Sequence, residues 1–359
     1  MRHAIALVLT LATMPAAAQT LAGNTVTLMA DGLNEPWGVA VLPDGAFLVT
    51  ERGGTLWHFA GGERTRLTGV PEVAAGGQGG LLDITAAADF AITREVFLTY
   101  SHPQPGGSST ALAVARLADD NRGLTGLRRI FTARPAMNSG RHFGSRVVEA
   151  ADGTLLVTLG DRGDGPTAQD LGSHNGSVVR LNRDGSVPAD NPFVGQAGAL
   201  PEIVSYGHRN IQGAGLDLSG RLTTAEHGAK GGDEINHVRA GANYGWPVIS
   251  YGVDYSGAKL GEGTSKPGME QPLLYWDPSI APSGLVVYSG RLWPAWKGDI
   301  LVGSLKFNYI ARLEGDPLTE VEQLKSRETR RVRDVVEAPD GSVWFLSVGQ
   351  GAVYRMTPR

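Results

Sequence analysis

The chain predicts an all-β fold, a six-bladed β-propeller in a single domain. Three observations carry that prediction. First, one pattern recurs: apolar alternation, an acidic-glycine or similar turn, then apolar alternation again. WGVAVLPDGAFLVTE (37–51), SRVVEAADGTLLVTLGD (145–161) and RDVVEAPDGSVWFLS (333–347) are the clearest copies, and AGLDLSGRLTTAEHG (214–228) is a shorter one. LLDITAAADFAITREVFLTYS (81–101) and SGLVVYSG…GDILVGSL (283–305) are looser copies. Period-2 runs joined by Asp-Gly read as antiparallel hairpins. Second, each unit is followed by another short strand: GGTLWHF, ALAVARL, GSVVRL, DEINHV, NYIARL and GAVYRM. Third, convincing amphipathic helices are absent. The 50 glycines follow no collagen or linker period and therefore mark turns.

Taken in order, six units of three or four strands start near positions 36, 80, 145, 213, 283 and 333. That spacing, with weak self-similarity, suggests blades rather than solenoid repeats. Long inter-blade loops are expected at 103–109, 167–199 and 249–278, crowding one end of the central channel.

Ahead of the first unit, residues 1–18 have a polar start at Arg2 and His3, an apolar run from Ala4 to Met14, and small residues at Ala16, Ala17 and Ala18. The run is too short for a bilayer, so it reads as a secretory signal. Residues 19–359 are then one propeller domain, exported and periplasmic where the cell has an outer membrane, with no membrane span. Cysteine is absent, which removes disulfides, thiolate catalysis and cysteine-ligated metals. A formal net charge of −4 with scattered basic residues argues against nucleic acid as a partner. No HExxH, P-loop or GxSxG segment occurs, so nucleotide and serine-hydrolase chemistry lose ground.

The polar residues concentrate in 206–247, where Arg209, Asn210, His227, Asp233, Glu234 and Asn243 flank short alternating runs and so fall at strand ends. His142, between Gly140 and Gly144, is a candidate general base. A surface-loop histidine is the alternative there, and His174, His208 and His227 compete for the role. Gln78 lies in a glycine cluster, AAGGQGGLLD, which suits close backbone approach or a plain turn. Arg209 and Asn210 suit an oxygen-rich ligand or an inter-blade salt bridge. Glycine-supported carbonyls at Gly228 and Ala229, with Asp233 and Glu234, are what calcium prefers, although the EF-hand pattern is missing. Lys306, Arg331 and Arg333 open two late strands, and the two arginines share a face of an extended segment. With Arg209 they make four cations suited to a small polyanion, if they point inward rather than into solvent.

In order, GQGGLLD, RHFGSRV…GTLLVTLGD, GHRNIQG, EHGAKGGDEIN, NYGWP, PSIAPSG, SLK and RVRD resemble the soluble pyrroloquinoline-quinone-dependent glucose and aldose sugar dehydrogenases, over about residues 35–356. The shorter loops look more like the aldose sugar dehydrogenase branch. The resemblance implies oxidation of aldoses at C1 to lactones, with hydride passing to the quinone and electrons then leaving to an external acceptor. It implies His142 as the base, Gln78 near the substrate hydroxyl, and Arg209 and Asn210 on the quinone oxygens. Lys306, Arg331 and Arg333 correspond to cations facing the cofactor's carboxylates, and Ser279 to a hydroxyl contact. The carbonyls of Gly228 and Ala229 correspond to ligands of a calcium beside the cofactor, and Glu234 and Tyr244 to a second, structural calcium. Arg141 departs from the acidic residue that precedes the base in the glucose enzyme, which implies broad aldose tolerance. The competing readings are a calcium-dependent lactonase on a similar propeller and a non-catalytic binding propeller.

Overall fold

The computed structural model describes residues 19–21 and 23–359; the expected leader, residues 1–18, lies outside them. The described chain forms six antiparallel sheets, five of four strands and one of five. Their innermost strands are Pro36–Val41, Leu81–Ala86, Val147–Glu149, Ile211–Leu216, Pro282–Val287 and Val332–Glu337. Each touches the inner strands of the sheets before and after it, and the sixth touches the first. The ring is therefore closed, as a six-bladed propeller requires. Each inner strand starts within two residues of the unit start read from the sequence.

The sixth sheet joins the two ends of the chain. Strand Asn24–Ala30 lies antiparallel to Ala352–Pro358, with Val26 opposite Met356. A closed ring has no free sheet edge at the joint, and this pairing supplies the closure.

The recurring turn has one geometry. The N–H of Leu42, Ala150, Asp217 and Ala338 donates to the carbonyl four residues on, that of Ala46, Thr154, Arg221 and Ser342. The aspartate of each turn, Asp44, Asp152, Asp217 or Asp340, accepts the N–H two residues ahead. The glycine that follows, such as Gly45 at φ +84° or Gly341 at φ +86°, sits in the left-handed region that glycine enters without strain. These turns set the register that sends alternate residues inward.

Inward residues of neighbouring sheets then form a core at each interface. Leu48 and Leu56 meet Leu81 and Leu98 between the first two sheets. Phe97 and Val114 meet Leu155 and Val157 between the next two. Val39 and Phe47 meet Trp344 and Leu346 where the ring closes. Each such fully buried side chain contributes about 1.5–3 kcal/mol.

The expected inter-blade loops are corrected by the strand pairing. Residues 103–109 are the tip of a long hairpin, Glu95–Gln104 with Gly107–Leu117, in which Pro103 pairs with Ser108. Residues 167–199 contain strand Ser177–Leu181, and 249–278 contain strand Leu274–Trp276. Both stretches therefore join strands of one sheet. Polar glycine-rich sequence marks them as loops but cannot say which strands they connect. No helix among the described residues is long and apolar enough to cross a membrane.

Candidate active site

The residue at or just before the start of every inner strand faces a common cavity of about 560 Å³ at one mouth of the channel. Pro36, Gln78, Gly144, Asn210, Ala281 and Arg331 are the six contributions, one per blade. Strand ends are where polar groups escape the ladder, so the ring itself assembles the site.

His142 stands beside this cavity, followed by Phe143 and Gly144 in its wall. Its backbone is left-handed, φ +50°, and its N–H donates to Gln78 Oε1 at 2.8 Å. Its Nδ1 lies 2.6 Å from Asp161 Oδ1. A carboxylate only accepts at neutral pH, so Nδ1 donates and the lone pair of the neutral ring falls on Nε2. The His142 side chain is 12% exposed and that of Asp161 2%. Asp161 also accepts the Gly163 N–H at 2.7 Å and Trp246 Nε1–H at 2.8 Å. Burial pushes the Asp161 carboxyl up, but the His142 and Gly163 hydrogen bonds and the Arg209 charge hold it below the ordinary carboxylate range.

Close backbone approach explains the glycines around the base. A Cβ on Gly160 would sit 2.2 Å from the His142 carbonyl oxygen, and one on Gly77 2.4 Å from that of Gly140. The Gln78 N–H donates to the same Gly140 carbonyl at 2.7 Å, so the glycine cluster seals two loops together. Beneath them Arg162 is 3% exposed, its guanidinium 3.4 Å from the centre of the Phe143 ring. It donates to the carbonyls of Arg141 and Ser139, clamping the loop that carries His142.

The competing histidines are accounted for. His174 uses Nδ1 on the Arg134 N–H and Nε2 near Glu202, and His208 sits between Glu226 and Ser205. His227 donates Nε2–H to the Pro282 carbonyl at 2.6 Å. Burial, with Arg209 and Arg333 adding to it, pushes His227 down to about 4 against the pull of Asp233, so its imidazole is neutral. His142 alone combines a directly bonded carboxylate with a Gln78 contact at the cavity wall and a place next to the wall residues Phe143 and Gly144.

Of the four predicted cations, Lys306, Arg331 and Arg333 line the cavity, and Arg52 joins them, paired at 2.5 Å with Glu35. Among the described residues no carboxylate lies within 4.0 Å of Lys306, Arg331 or Arg333. Burial, then the charges of Arg146 and Arg331, push Arg333 down to about 9. An anion in the cavity would relieve that stress. Arg333 also donates to Gln212 Oε1 at 2.7 Å, and Asn210 Oδ1 accepts from the Gly144 N–H and from Gln212. Under the floor, Arg146 is held at 2.8 Å by both Asp83 and Asp334 and lies 4.3 Å from the Trp37 ring centre.

Arg209 lies one step aside, in a small adjoining cavity with Gly228, Glu226, Glu234 and Tyr244; His227 belongs to both cavities. The buried Arg209 Nε has no partner. Glu226 and Glu234 share the Asn236 amide, at 3.1 Å each. Burial and the Glu226 charge push Glu234 up to about 8. The buried Glu226 and half-buried Glu234 carboxylates around one amide fit a cation. The Gly228–Ala229 loop folds back on itself, so that a Cβ on Gly228 would meet the Gly231 and Gly232 carbonyls at 2.2 and 2.3 Å. Tyr244 stacks on His208 at 4.4 Å. Ser279 walls neither cavity; its hydroxyl donates to Asp233 Oδ2 at 2.6 Å.

Sequence reading missed Asp161, Arg162, Arg52 and the Arg146–Asp83–Asp334 cluster. Asp161 carried a signal, ending the run TLLVTLGD at a strand terminus. The others become visible only when distant blades meet.

A carboxylate-held imidazole beside a polycationic cavity, at the mouth of a six-bladed propeller, defines an enzyme that works on a ligand held by cations. The chain belongs to the Glucose / Sorbosone dehydrogenase family, whose model matches residues 33–355. It is 41% identical over 344 residues to Aldose sugar dehydrogenase YliI of Escherichia coli K12, covering 93% of each chain. Its fold is similar to the apo-form soluble aldose sugar dehydrogenase of Escherichia coli, with TM-score 0.90 and 40% identity, covering 94% of this chain and 100% of that one. It is also similar to the PQQ-bound aldose sugar dehydrogenase of Streptomyces coelicolor, with TM-score 0.76 and 26% identity, over 95% of this chain and 99% of that one. The protein is an oxidoreductase.

Proposed function

We propose that the protein oxidises aldoses at C1 to lactones with pyrroloquinoline quinone and calcium, and passes the electrons to an external acceptor. The observation that carries this reading is the His142–Asp161 pair set beside three cations that no carboxylate neutralises. His142 Nε2 takes the proton of the anomeric hydroxyl, and Asp161 stabilises the imidazolium that results. The amide oxygen of Gln78 is held by the His142 N–H, which leaves its NH₂ group to orient the sugar. Lys306, Arg331 and Arg333 would hold the cofactor's carboxylates, and Asn210 and Arg209 would face its quinone oxygens. Pyrroloquinoline quinone bound there would supply a hydride acceptor for C1, and calcium held by the Gly228 and Ala229 carbonyls would supply Lewis acidity. The carbonyls of Glu234 and Tyr244 would hold a second, structural calcium. Ser279 serves that loop through Asp233 rather than by direct contact.

A calcium-dependent lactonase needs carboxylates at the channel mouth, whereas Glu35, the one carboxylate among the lining residues, is paired with Arg52. The composition of residues 1–18 supports export to the periplasm.

The test is dye reduction by the purified protein with an aldose, with and without the quinone and calcium. Activity that requires both is expected. His142→Ala should take up the quinone normally and turn over at least about 10²-fold more slowly. Activity without either addition, or near-normal turnover in His142→Ala, would reject the reading.

A further inference from the structure

Outside the catalytic cavity, the chemistry of one pocket is not used by the oxidation. It has a volume of about 340 Å³, lies between the fourth and fifth blades, and is walled by Trp276, Ile280, Phe307, Tyr309, Glu320 and Gln323. That volume is in the range of small-ligand sites. It is separated from the catalytic cavity by one layer of chain. Ile280 and Phe307 face the pocket, while their neighbours Ala281 and Lys306 face the catalytic cavity. The Lys306 N–H donates to the Ile280 carbonyl at 3.2 Å, and the Leu305 N–H to the Ala281 carbonyl at 3.1 Å. These bonds make the wall rigid.

The lining mixes ring and polar groups. Trp276 is 9% exposed and Tyr309 3%, so both form the floor. Trp276 Nε1–H donates to Glu320 Oε2 at 2.7 Å, and Gln323 Nε2 donates to Glu320 Oε1 at 2.6 Å. Both carboxylate oxygens are thereby fixed in place, each with a lone pair still open. The Tyr309 hydroxyl has no hydrogen-bond partner among the described residues, although its residue is almost wholly buried in the pocket floor. The hydroxyl itself stays open to the pocket, where water or a ligand oxygen can meet it.

We propose that this pocket is a second saccharide-binding site, taking one pyranose ring. The C–H face of a pyranose packs against the negative faces of aromatic rings, while its hydroxyls need acceptors and donors at the edge. Phe307, Trp276 and Tyr309 supply the rings. Glu320 accepts from sugar hydroxyls, and the Tyr309 hydroxyl and Gln323 bond the ring's oxygens. The ring bound can be a free hexose, or the distal residue of a longer saccharide whose reducing end lies beyond the wall in the catalytic cavity. Binding itself does not depend on the proposed oxidation; only the turnover arm of the test rests on that reading.

The test titrates the full-length protein with methyl α-D-glucopyranoside, which lacks a free anomeric hydroxyl and cannot be oxidised there. The readout is the Trp276 indole N–H resonance, assigned by its loss in Trp276→Phe. A saturable shift is expected, and Tyr309→Phe should weaken the binding about fivefold, the scale of one neutral hydrogen bond. The second arm compares kcat/KM for glucose and maltotriose. If the site holds a distal residue, Tyr309→Phe lowers the maltotriose value alone. If it holds a free hexose, both values stay unchanged while glycoside binding weakens. No shift at Trp276 up to the solubility of the glycoside, or equal binding by Tyr309→Phe, overturns the proposal. Loss of dye reduction with glycoside binding intact instead counts against the oxidation chemistry alone.

Discussion

Replacing Asp161 by asparagine tests the positioning of the base directly. Asp161 Oδ1 accepts from His142 Nδ1 at 2.6 Å and from the Gly163 N–H at 2.7 Å, and Oδ2 accepts from Trp246 Nε1–H at 2.8 Å. Asparagine has one oxygen for these two edges. Turned toward His142, its NH₂ meets the Trp246 donor. Turned toward Trp246, its NH₂ faces His142 Nδ1 and drives the ring proton to Nε2, the position that must stay open. Either arrangement leaves a buried donor unpaired, at a cost of about 1–3 kcal/mol in stability. The second removes the base altogether, and either loses the carboxylate that stabilises the imidazolium. A fall in kcat of about 10²–10⁴-fold is expected, the range for losing a general base or the carboxylate that orients it. The assay is steady-state dye reduction by protein loaded with quinone and calcium, beside a quinone titration and a thermal melt. Cofactor uptake should be unchanged, because Asp161 contacts none of the cavity cations. Wild-type kcat in a folded, loaded Asp161→Asn protein would refute the reasoning.

Three further perturbations probe separate parts of the site. Arg331→Ala with Arg333→Ala should weaken quinone uptake by about 10²-fold or more, from two charge-assisted contacts of about 1.5–3 kcal/mol each, and an unchanged titration would remove the polyanion argument. Gly160→Ala places a methyl 2.2 Å from the His142 carbonyl oxygen, so both the melting temperature and kcat should fall, by about 1–3 kcal/mol of overpacking in stability. Equal values for both would show that the loop yields freely. Asp83, raised by burial and by Asp334 to about 6 against the opposing charge of Arg146, keeps a proton in the folded state that the unfolded chain has released. Its contribution to stability therefore grows as pH falls from about 6 toward about 4, and denaturant midpoints across that window should lose this trend in Asp83→Asn.

How far the sequence could be read follows from the range of the interactions involved. The blades were legible because hairpin physics is local. Asp44-Gly45 and Asp340-Gly341 dictate their turns within five residues, and the alternation around them dictates which face is buried. His142, Gln78, Lys306, Arg331 and Arg333 were legible through ordered motifs, and the structure brings their segments to one mouth. Asp161 was quoted within its motif but not given its task, because its bond to His142 crosses 19 residues of chain. The Arg146 bonds span 63 residues to Asp83 and 187 to the Arg333 carbonyl, and nothing in the local pattern announces either. The misplaced loops failed for the same reason: composition locates a loop, whereas strand order depends on pairing partners far away.

The Arg146 cluster also explains how a chain of net charge −4 presents a cationic cavity. Under the floor, Asp83 and Asp334 face Arg146 directly, and Arg146 donates to the backbone carbonyls of Gln212 and Arg333. Those bonds fix the two residues whose side chains form the floor, with Arg333 resting on Gln212 Oε1. The two aspartates pair with Arg146 and neutralise it from below, whereas Arg333 above it has no carboxylate partner. Arg52 is offset by Glu35 at the rim. What remains unpaired is Lys306, Arg331 and Arg333 at the cavity, with Arg209 beside the small one. The positive potential is thus concentrated opposite His142's side of the mouth by placement, not by composition. A polyanion drawn to that wall leaves the base side free for a neutral substrate, which is the division of space that oxidation of a sugar by a bound quinone requires.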